Sequence, residues 1–217
     1  MKRPLSSRVA AARPKVCMLL PAHWTAGMGG SEYQAKLLAE HLLEHYDAEI
    51  VYLTTAAAEN RAGDGYEIVR FSDRAGLRRY GTFFDVLRLY RALRRLSPDV
   101  IYQQVGCAHT GIAAWYARLH RRRMVWRVSS DRHTRRAPIP RWRLHERLER
   151  WMLEQGIRRA DLVLAQTEAQ RQSLSAVYGC ANVAVVPNFH PPVTARAPGV
   201  RPLRRRIVWI ANVKRLK

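Results

Sequence analysis

The sequence predicts an α/β fold built on a doubly wound parallel sheet. Three observations point there. Short apolar runs alternate with amphipathic stretches from residue 15 onward. The runs are near-continuous rather than alternating, the pattern of strands buried on both faces. Their order, βαβ followed by βαβαβαβ, places crossover helices between strands, as parallel pairing requires.

The elements follow in order along the chain. "KVCMLLP" (15–21) reads as a buried strand, and "SEYQAKLLAEHLLEHY" (31–46) as a helix with Leu37, Leu38, Leu42 and Leu43 on one stripe. Ser31 followed by Gln34 has the spacing of a capping box, which would start that helix after Gly30. "AEIVYLTT" (48–55) is a second strand and "YEIVRFS" (66–72) a weaker third. Residues 77–96 form an amphipathic helix with a basic outer face, followed by a strand at 99–104 and the helix "TGIAAWYARLHR". "RMVWRVSS" (123–130) is the next strand, although Arg127 breaks its apolar pattern and its direction stays open. A heavily charged helix at 140–157, the strand "ADLVLAQT" (160–167), a helix capped by Thr167 with Gln170, and the strand "NVAVVPN" (182–188) complete the series. Residues 190–206, rich in proline and arginine and without periodicity, read as a linker; "IVWIANVKRLK" (207–217) reads as a new strand.

Composition narrows the function classes. Thirty-eight Lys+Arg against 17 Asp+Glu give a net charge of +21, which attracts polyanions and anionic surfaces. Nearly all of it is arginine, and no nucleic-acid-binding motif accompanies it, so specific nucleic-acid binding is not expected. Cys17, Cys107 and Cys180 are widely spaced, with no metal-ligand pattern, which suits reduced thiols in a cytoplasmic protein and no metal centre. The basic N-terminus, residues 1–14, has no apolar core of a secretory signal and is expected to be disordered. No uncharged apolar run reaches the length of a membrane span. The basic helix at 77–96 and "LHRRRMVW" would suit an anionic membrane surface, the alternative being solvated faces.

The loop "PAHWTAGMGGSEYQ" (21–34) carries the first chemical signal. Gly27, Gly29 and Gly30 fit neither G-x-G-x-x-G nor a Walker A loop, which disfavours a nicotinamide cofactor or a P-loop nucleotide. They form either a tight turn or a loop whose backbone approaches a phosphate at the start of a helix. His23 and Trp24 in the same loop could line an acceptor site or pack as a lid. Gln103, Gln104 and His109 lie at the carboxyl end of another strand and could face a cleft, His109 equally being a local hydrogen-bonding residue. Asp131 and His133 could orient or deprotonate an acceptor hydroxyl; the alternative is that Ser130 and Asp131 cap a turn.

Taken in order, strand–"GGSE"–helix, "PDVIYQQ", "ADLVLAQTEAQRQSL", "VAVVPNFHPP" and "RRRIVWIANVKRLK" resemble family-4 glycosyltransferases of the two-Rossmann (GT-B) architecture, over about residues 15–217. The resemblance implies transfer of a sugar from a nucleotide-sugar donor, a substrate rather than a cofactor, to a sugar or lipid-linked acceptor, usually with retention. It implies that 15–189 is a Rossmann-like acceptor-side domain and that 207–217 opens a truncated, nucleotide-binding second domain. Gly29, Gly30 and Ser31 would then approach the donor phosphates; His23, Trp24 and Gln104 would contact the acceptor; Asp131, His133 and His109 would be the catalytic candidates. The family often has a histidine after the strand that here reads "MVWRVSS", where this chain has Ser129 and Ser130. The family's paired-glutamate motif belongs to the second domain, so these residues alone are expected to be inactive. The location expected is cytoplasmic, with peripheral contact to the inner membrane face. A non-catalytic Rossmann-like domain binding a partner, an anionic membrane or a polyanion is the alternative.

Overall fold

The structure, a computed structural model, describes residues 13–56, 65–72, 81–136 and 138–190. The basic N-terminus up to residue 12, the linker from 191 and the strand expected at 207–217 lie outside the described residues. Among those described, seven strands alternate with five α-helices. The order is β1 (Lys15–Ala22), α1 (Gly30–Tyr46), β2 (Glu49–Ala56), β3 (Tyr66–Arg70), α2 (Gly81–Leu96), β4 (Val100–Gln104), α3 (Ala108–Leu119) and β5 (Arg123–Arg127). A 3₁₀ turn (Asp131–Thr134), α4 (Leu144–Arg159), β6 (Leu162–Ala165), α5 (Glu168–Tyr178) and β7 (Val183–Val185) follow.

All strand pairs are parallel and the sheet order is β3-β2-β1-β4-β5-β6-β7. The chain therefore winds outward from β1 in one direction and from β4 in the other. The doubly wound sheet expected from the sequence is present, an α/β Rossmann-like fold.

Alternate residues of each strand reach opposite faces, and the two faces are filled differently. Val16, Met18, Leu20, Ile50 and Tyr52 pack under α1. Cys17, Leu19, Leu53, Ile101 and Trp126 pack under the remaining helices, against Leu93 of α2, Ile112 of α3, Ile157 of α4 and Leu174 of α5. On α1 the line nearest the sheet is Gln34, Ala35 and Ala39, with Leu38, Leu42 and Leu43 packed at its flanks. Small residues bring the helix axis close, and the leucines seal its sides.

The first capping box does not form. Gly29 is the N-cap and α1 begins at Gly30, so Ser31 already lies inside the first turn, donating to Glu32 Oε2 at 2.9 Å. The second does form in part: Thr167 Oγ1 accepts from the Gln170 N–H at 3.2 Å, but the Gln170 amide reaches elsewhere.

Two glycines set the position of α4. A Cβ on Gly156 would lie 2.5 Å from the Thr110 carbonyl carbon, and a Cβ on Gly111 would meet the Met152 carbonyl. Backbone touches backbone at both points, so neither residue can carry a side chain without separating α3 from α4. Gly156→Ala, which in an exposed helix would gain up to ~1 kcal/mol, is expected here to cost about 2 kcal/mol by overpacking. Urea unfolding reads the sign directly.

Candidate functional site

In an open parallel sheet, ligands bind beyond the carboxyl ends of the strands, where the winding reverses. Here that point lies between β1 and β4. It is flanked by the β1–α1 loop (23–29), the β4–α3 loop (105–107), the β5–α4 segment with its 3₁₀ turn, and the chain leaving β7 (186–190).

The glycine loop is open. Gly27 and Gly30 have free space where a Cβ would project, and a Cβ on Gly29 would meet only the end of the Glu32 side chain, at 2.5 Å from Oε2. No side chain caps the helix start, so the N–H groups of the first turn are not covered by a cap. Beneath the loop His23 is fully buried, its ring edge-on to Tyr52 at 4.6 Å and its Nδ1 2.7 Å from Thr25 Oγ1. Trp24 is half-buried, with the Lys36 ammonium 5.4 Å from its ring centre. His23 thus serves as the floor of this loop, and Trp24 shares its ring face with a cation.

The β4–α3 loop is strained. Val105 has φ 82°, a left-handed conformation that a β-branched residue adopts at a cost of about 1–3 kcal/mol. Cys107 then caps α3, and its N–H donates to Thr110 Oγ1 at 3.2 Å. Gln104 is buried and accepts from the Tyr102 hydroxyl at 3.2 Å. His109 turns away from Asp131. Its Nε2 lies 3.6 Å from Asp85 Oδ2 on α2, and its ring meets Phe71 beyond β3.

Asp131 and His133 share the 3₁₀ turn. Ser130 caps it, accepting from the Arg132 N–H at 3.3 Å, as the capping alternative anticipates. The Asp131 carboxylate is exposed, and Gln170 Nε2 fixes its Oδ1 at 2.7 Å; Gln170 Oε1 accepts from the Gln166 N–H at 2.8 Å. His133 lies beneath the turn, its ring against Gly106 and its Nδ1 3.4 Å from Ser129 Oγ. Burial, helped by the Arg132 charge, holds the His133 imidazole below its ordinary value of 6.5. The structure therefore joins Asp131, His133 and Gly106, and sets His109 apart from them.

Two residues missed by the sequence reading organise the remaining wall. Arg127 is 2% exposed and points to the α1 face. Its Nη2 is shared among Val186 O (3.2 Å), Pro187 O (3.2 Å) and Asn188 Oδ1 (3.0 Å). It also bonds Tyr102, whose hydroxyl burial pushes up to about 12 against the pull of that guanidinium. Gln34 donates to Phe189 O at 2.7 Å and accepts from the Phe189 N–H at 2.9 Å. This is where the amide expected to cap α1 is used. The exit segment is thus tied to β5 and to α1, across the carboxyl edge. An arginine inside an apolar strand was the available signal for Arg127; Gln34 gave none. Among the described residues no three His, Cys, Asp or Glu side chains converge as a metal site requires.

A sequence model of glycosyltransferase family 4 matches residues 28–192. No curated protein matches the sequence. Among solved structures, the lipopolysaccharide outer core galactosyltransferase WaaB in its apo form aligns with TM-score 0.56 and 14% identity, over 88% of this chain and 50% of that one. A UDP-N-acetylglucosamine 2-epimerase aligns with TM-score 0.53 and 13% identity, over 81% and 48%. MnaA of S. aureus, solved with UDP, aligns with TM-score 0.52 and 16% identity, over 79% and 43%. The chain spans about half the length of these structures, and likeness at such identity concerns the fold.

Two outcomes are expected from this geometry. A histidine held below its unfolded value favours the unfolded chain once both can protonate. Its contribution to stability is complete above 6.5 and is lost as pH falls from there through the lower folded value. His133→Gln should flatten the acid limb of urea stability between about pH 7 and pH 5. Gln34→Leu should raise the hydrogen-exchange rate of the Phe189 amide at least about tenfold, the size of one net hydrogen bond, with amides of β1 unchanged.

Proposed function

We propose, from the premise that this chain belongs to glycosyltransferase family 4, that it is the acceptor-side domain of an enzyme moving a sugar from a nucleoside-diphosphate donor to an acceptor hydroxyl, with retention. The observation that carries the reading is the bare β1–α1 loop. The left-handed glycines among the described residues are Gly65 and Gly179, so Gly27, Gly29 and Gly30 are not there for backbone strain. Nor does packing need them, since Gly27 and Gly30 have open space around them. What glycine does at these positions is leave the first-turn N–H groups uncovered. Free donors and the positive end of the helix dipole then favour a diphosphate, and close backbone approach is the use that remains.

The other parts have roles consistent with that placement. Asp131, exposed and held by Gln170, is the group that would orient an acceptor hydroxyl and accept its hydrogen bond. His133, half-buried and held below its ordinary pKa, supports the turn that carries it. His109, paired with Asp85, would stiffen the start of α3. His23 and Gln104 shape the floor, and Trp24 is the residue of this set nearest to solvent. The remaining donor contacts would come from a second domain, the solved neighbours being about twice as long. Three free thiols support a reducing, cytoplasmic setting. Among the described residues no helix is long and apolar enough to cross a membrane.

Titration of the isotope-labelled 217-residue chain with UDP tests the reading by amide shifts. Gly29, Gly30 and Ser31 should move, weakly and saturably, while the chain by itself turns over nucleotide sugars negligibly. Gly30→Ala should diminish those shifts and leave stability unchanged or higher by up to ~1 kcal/mol. Shifts confined to other loops, or rapid turnover by this chain, would refute it.

A further inference from the structure

Helix α4 carries two apolar stripes, and among the described residues one of them is largely exposed. Gly156 and Ile157 are buried, with Met152 and Leu153 packed beside them against the core. A helix advances about 100° per residue, so Leu144, Leu148 and Trp151, spaced i, i+4 and i+7, align on the opposite side, with Arg147 among them. Trp142, in the turn before the helix, is 75% exposed and Leu144 69%; they are the two most exposed large apolar side chains among the described residues. Trp151 is 57% exposed.

The stripe also projects. The first turn of α3 meets α4 at Met152 and Gly156, through Gly111 and Thr110. Both helices follow strands of an all-parallel sheet and so start from its carboxyl edge; the part of α4 before Met152 therefore extends beyond the start of α3 by roughly two turns, ~12 Å at 1.5 Å per residue. Around it stand six arginines, Arg135, Arg136, Arg141, Arg143, Arg147 and Arg150, against Glu146, Glu149 and Glu154, with Arg136 paired to Glu154 and Arg143 to Glu146. The Arg143 guanidinium lies 4.8 Å from the Trp142 ring centre.

We propose that this projecting end of α4 docks on an anionic lipid surface. Trp142, Leu144 and Trp151 enter the headgroup–acyl boundary, and the arginines meet lipid phosphates. Tryptophan and arginine side by side suit that boundary, because each has an apolar body and a polar or charged end. A protein partner fits less well, since the cores of protein interfaces are depleted in charge and here the charges are interleaved with the apolar side chains. The basic helix singled out by sequence, α2, has Leu87 as the exposed apolar residue among its described side chains, which gives charge but little to insert. With α4 docked, the carboxyl edge faces the headgroup plane. A lipid-linked acceptor would then meet Asp131 without leaving the bilayer, a consequence that rests on the transferase reading; the docking does not.

Co-sedimentation of the chain with phosphatidylglycerol–phosphatidylcholine vesicles, against pure phosphatidylcholine, tests the proposal without any nucleotide sugar. Binding is expected to the anionic vesicles alone, to weaken with salt, and to be accompanied by tryptophan quenching from brominated acyl chains. Trp142→Ala/Trp151→Ala should abolish the quenching and most of the binding. Arg143→Gln/Arg147→Gln should weaken binding about fivefold per charge, equivalent to ~1 kcal/mol each. Arg88→Gln/Arg91→Gln on α2 should leave binding within about twofold, and because all six positions lie on the surface, matching melting curves are expected throughout. Absence of vesicle binding overturns the proposal. So does equal binding to neutral vesicles, or undiminished binding by the double tryptophan variant.

Discussion

A parallel ladder cannot be closed by tight turns; each strand needs a crossover that carries the chain back to the starting edge of the sheet. With seven strands all parallel, every loop that follows a strand emerges at the same edge. The functional arrangement depends on that constraint. It gathers the glycine loop, the strained turn at Val105, the Asp131 turn and the exit from β7 on one side, although they are spread over most of the chain. The reversal of winding between β1 and β4 then opens a crevice, because α1 leaves toward one face and α3 toward the other.

The crevice has walls of different character. On the α1 face the wall is the exit segment, held by Arg127 and Gln34. A buried guanidinium is costly to desolvate unless its donors are satisfied; the Arg127 Nη2 reaches carbonyl and amide oxygens of the exit segment, while its Nε is buried with no hydrogen-bond partner among the described residues. The cation and the segment hold each other: without Val186 and Pro187 overhead the charge would be exposed to an apolar sheet, and without the charge those carbonyls would lack donors. On the opposite face the wall is the Asp131 turn, supported from below by His133 on Gly106 and from the side by Gln170. Both walls rest on polar groups that are buried (Arg127, Gln34, Gln170) or half-buried (His133), so hydrogen bonding as well as apolar packing sets their positions.

Most of the fold was legible in the sequence because it is written in local pattern. Each of the seven strands and five helices lies where an apolar run or an amphipathic stretch placed it, within a few residues at the ends. What failed to show locally depends on the third dimension. Ser31 and Gln34 have capping spacing, yet Gln34 finds the Phe189 backbone, 155 residues away, and a contact at that separation has no local signature. His23 and His109 look like polar residues in loops, and become buried only because Tyr52 and Asp85 arrive from other elements. Val105 gave no sign of strain, since nothing about a valine marks a positive φ. The outward stripe of α4 was hidden by its own arginines, which make residues 140–157 read as merely charged. Arg127 alone carried a visible warning, a charge in the middle of "MVWRV".

The net charge of +21 bears on how such a crevice could discriminate among ligands. A field of that sign draws in nucleotides, lipid headgroups and any other polyanion, and salt screens it beyond about 8–10 Å. It therefore speeds encounter without selecting a partner. Near the crevice itself the ionisable groups include carboxylates, the exposed Asp131 on the turn and the half-buried Glu32 against Gly29, while many of the arginines lie on the outer helices. On the proposed reading, selection would come from directed groups, the N–H donors of the first turn of α1 taking phosphate oxygens and the Asp131 carboxylate taking a hydroxyl. An anion carrying a sugar would then use both groups, whereas a nucleic acid or a bare polyphosphate would use only one. The surface charge would bring ligands to the edge of the sheet, and those directed groups would decide which of them stay.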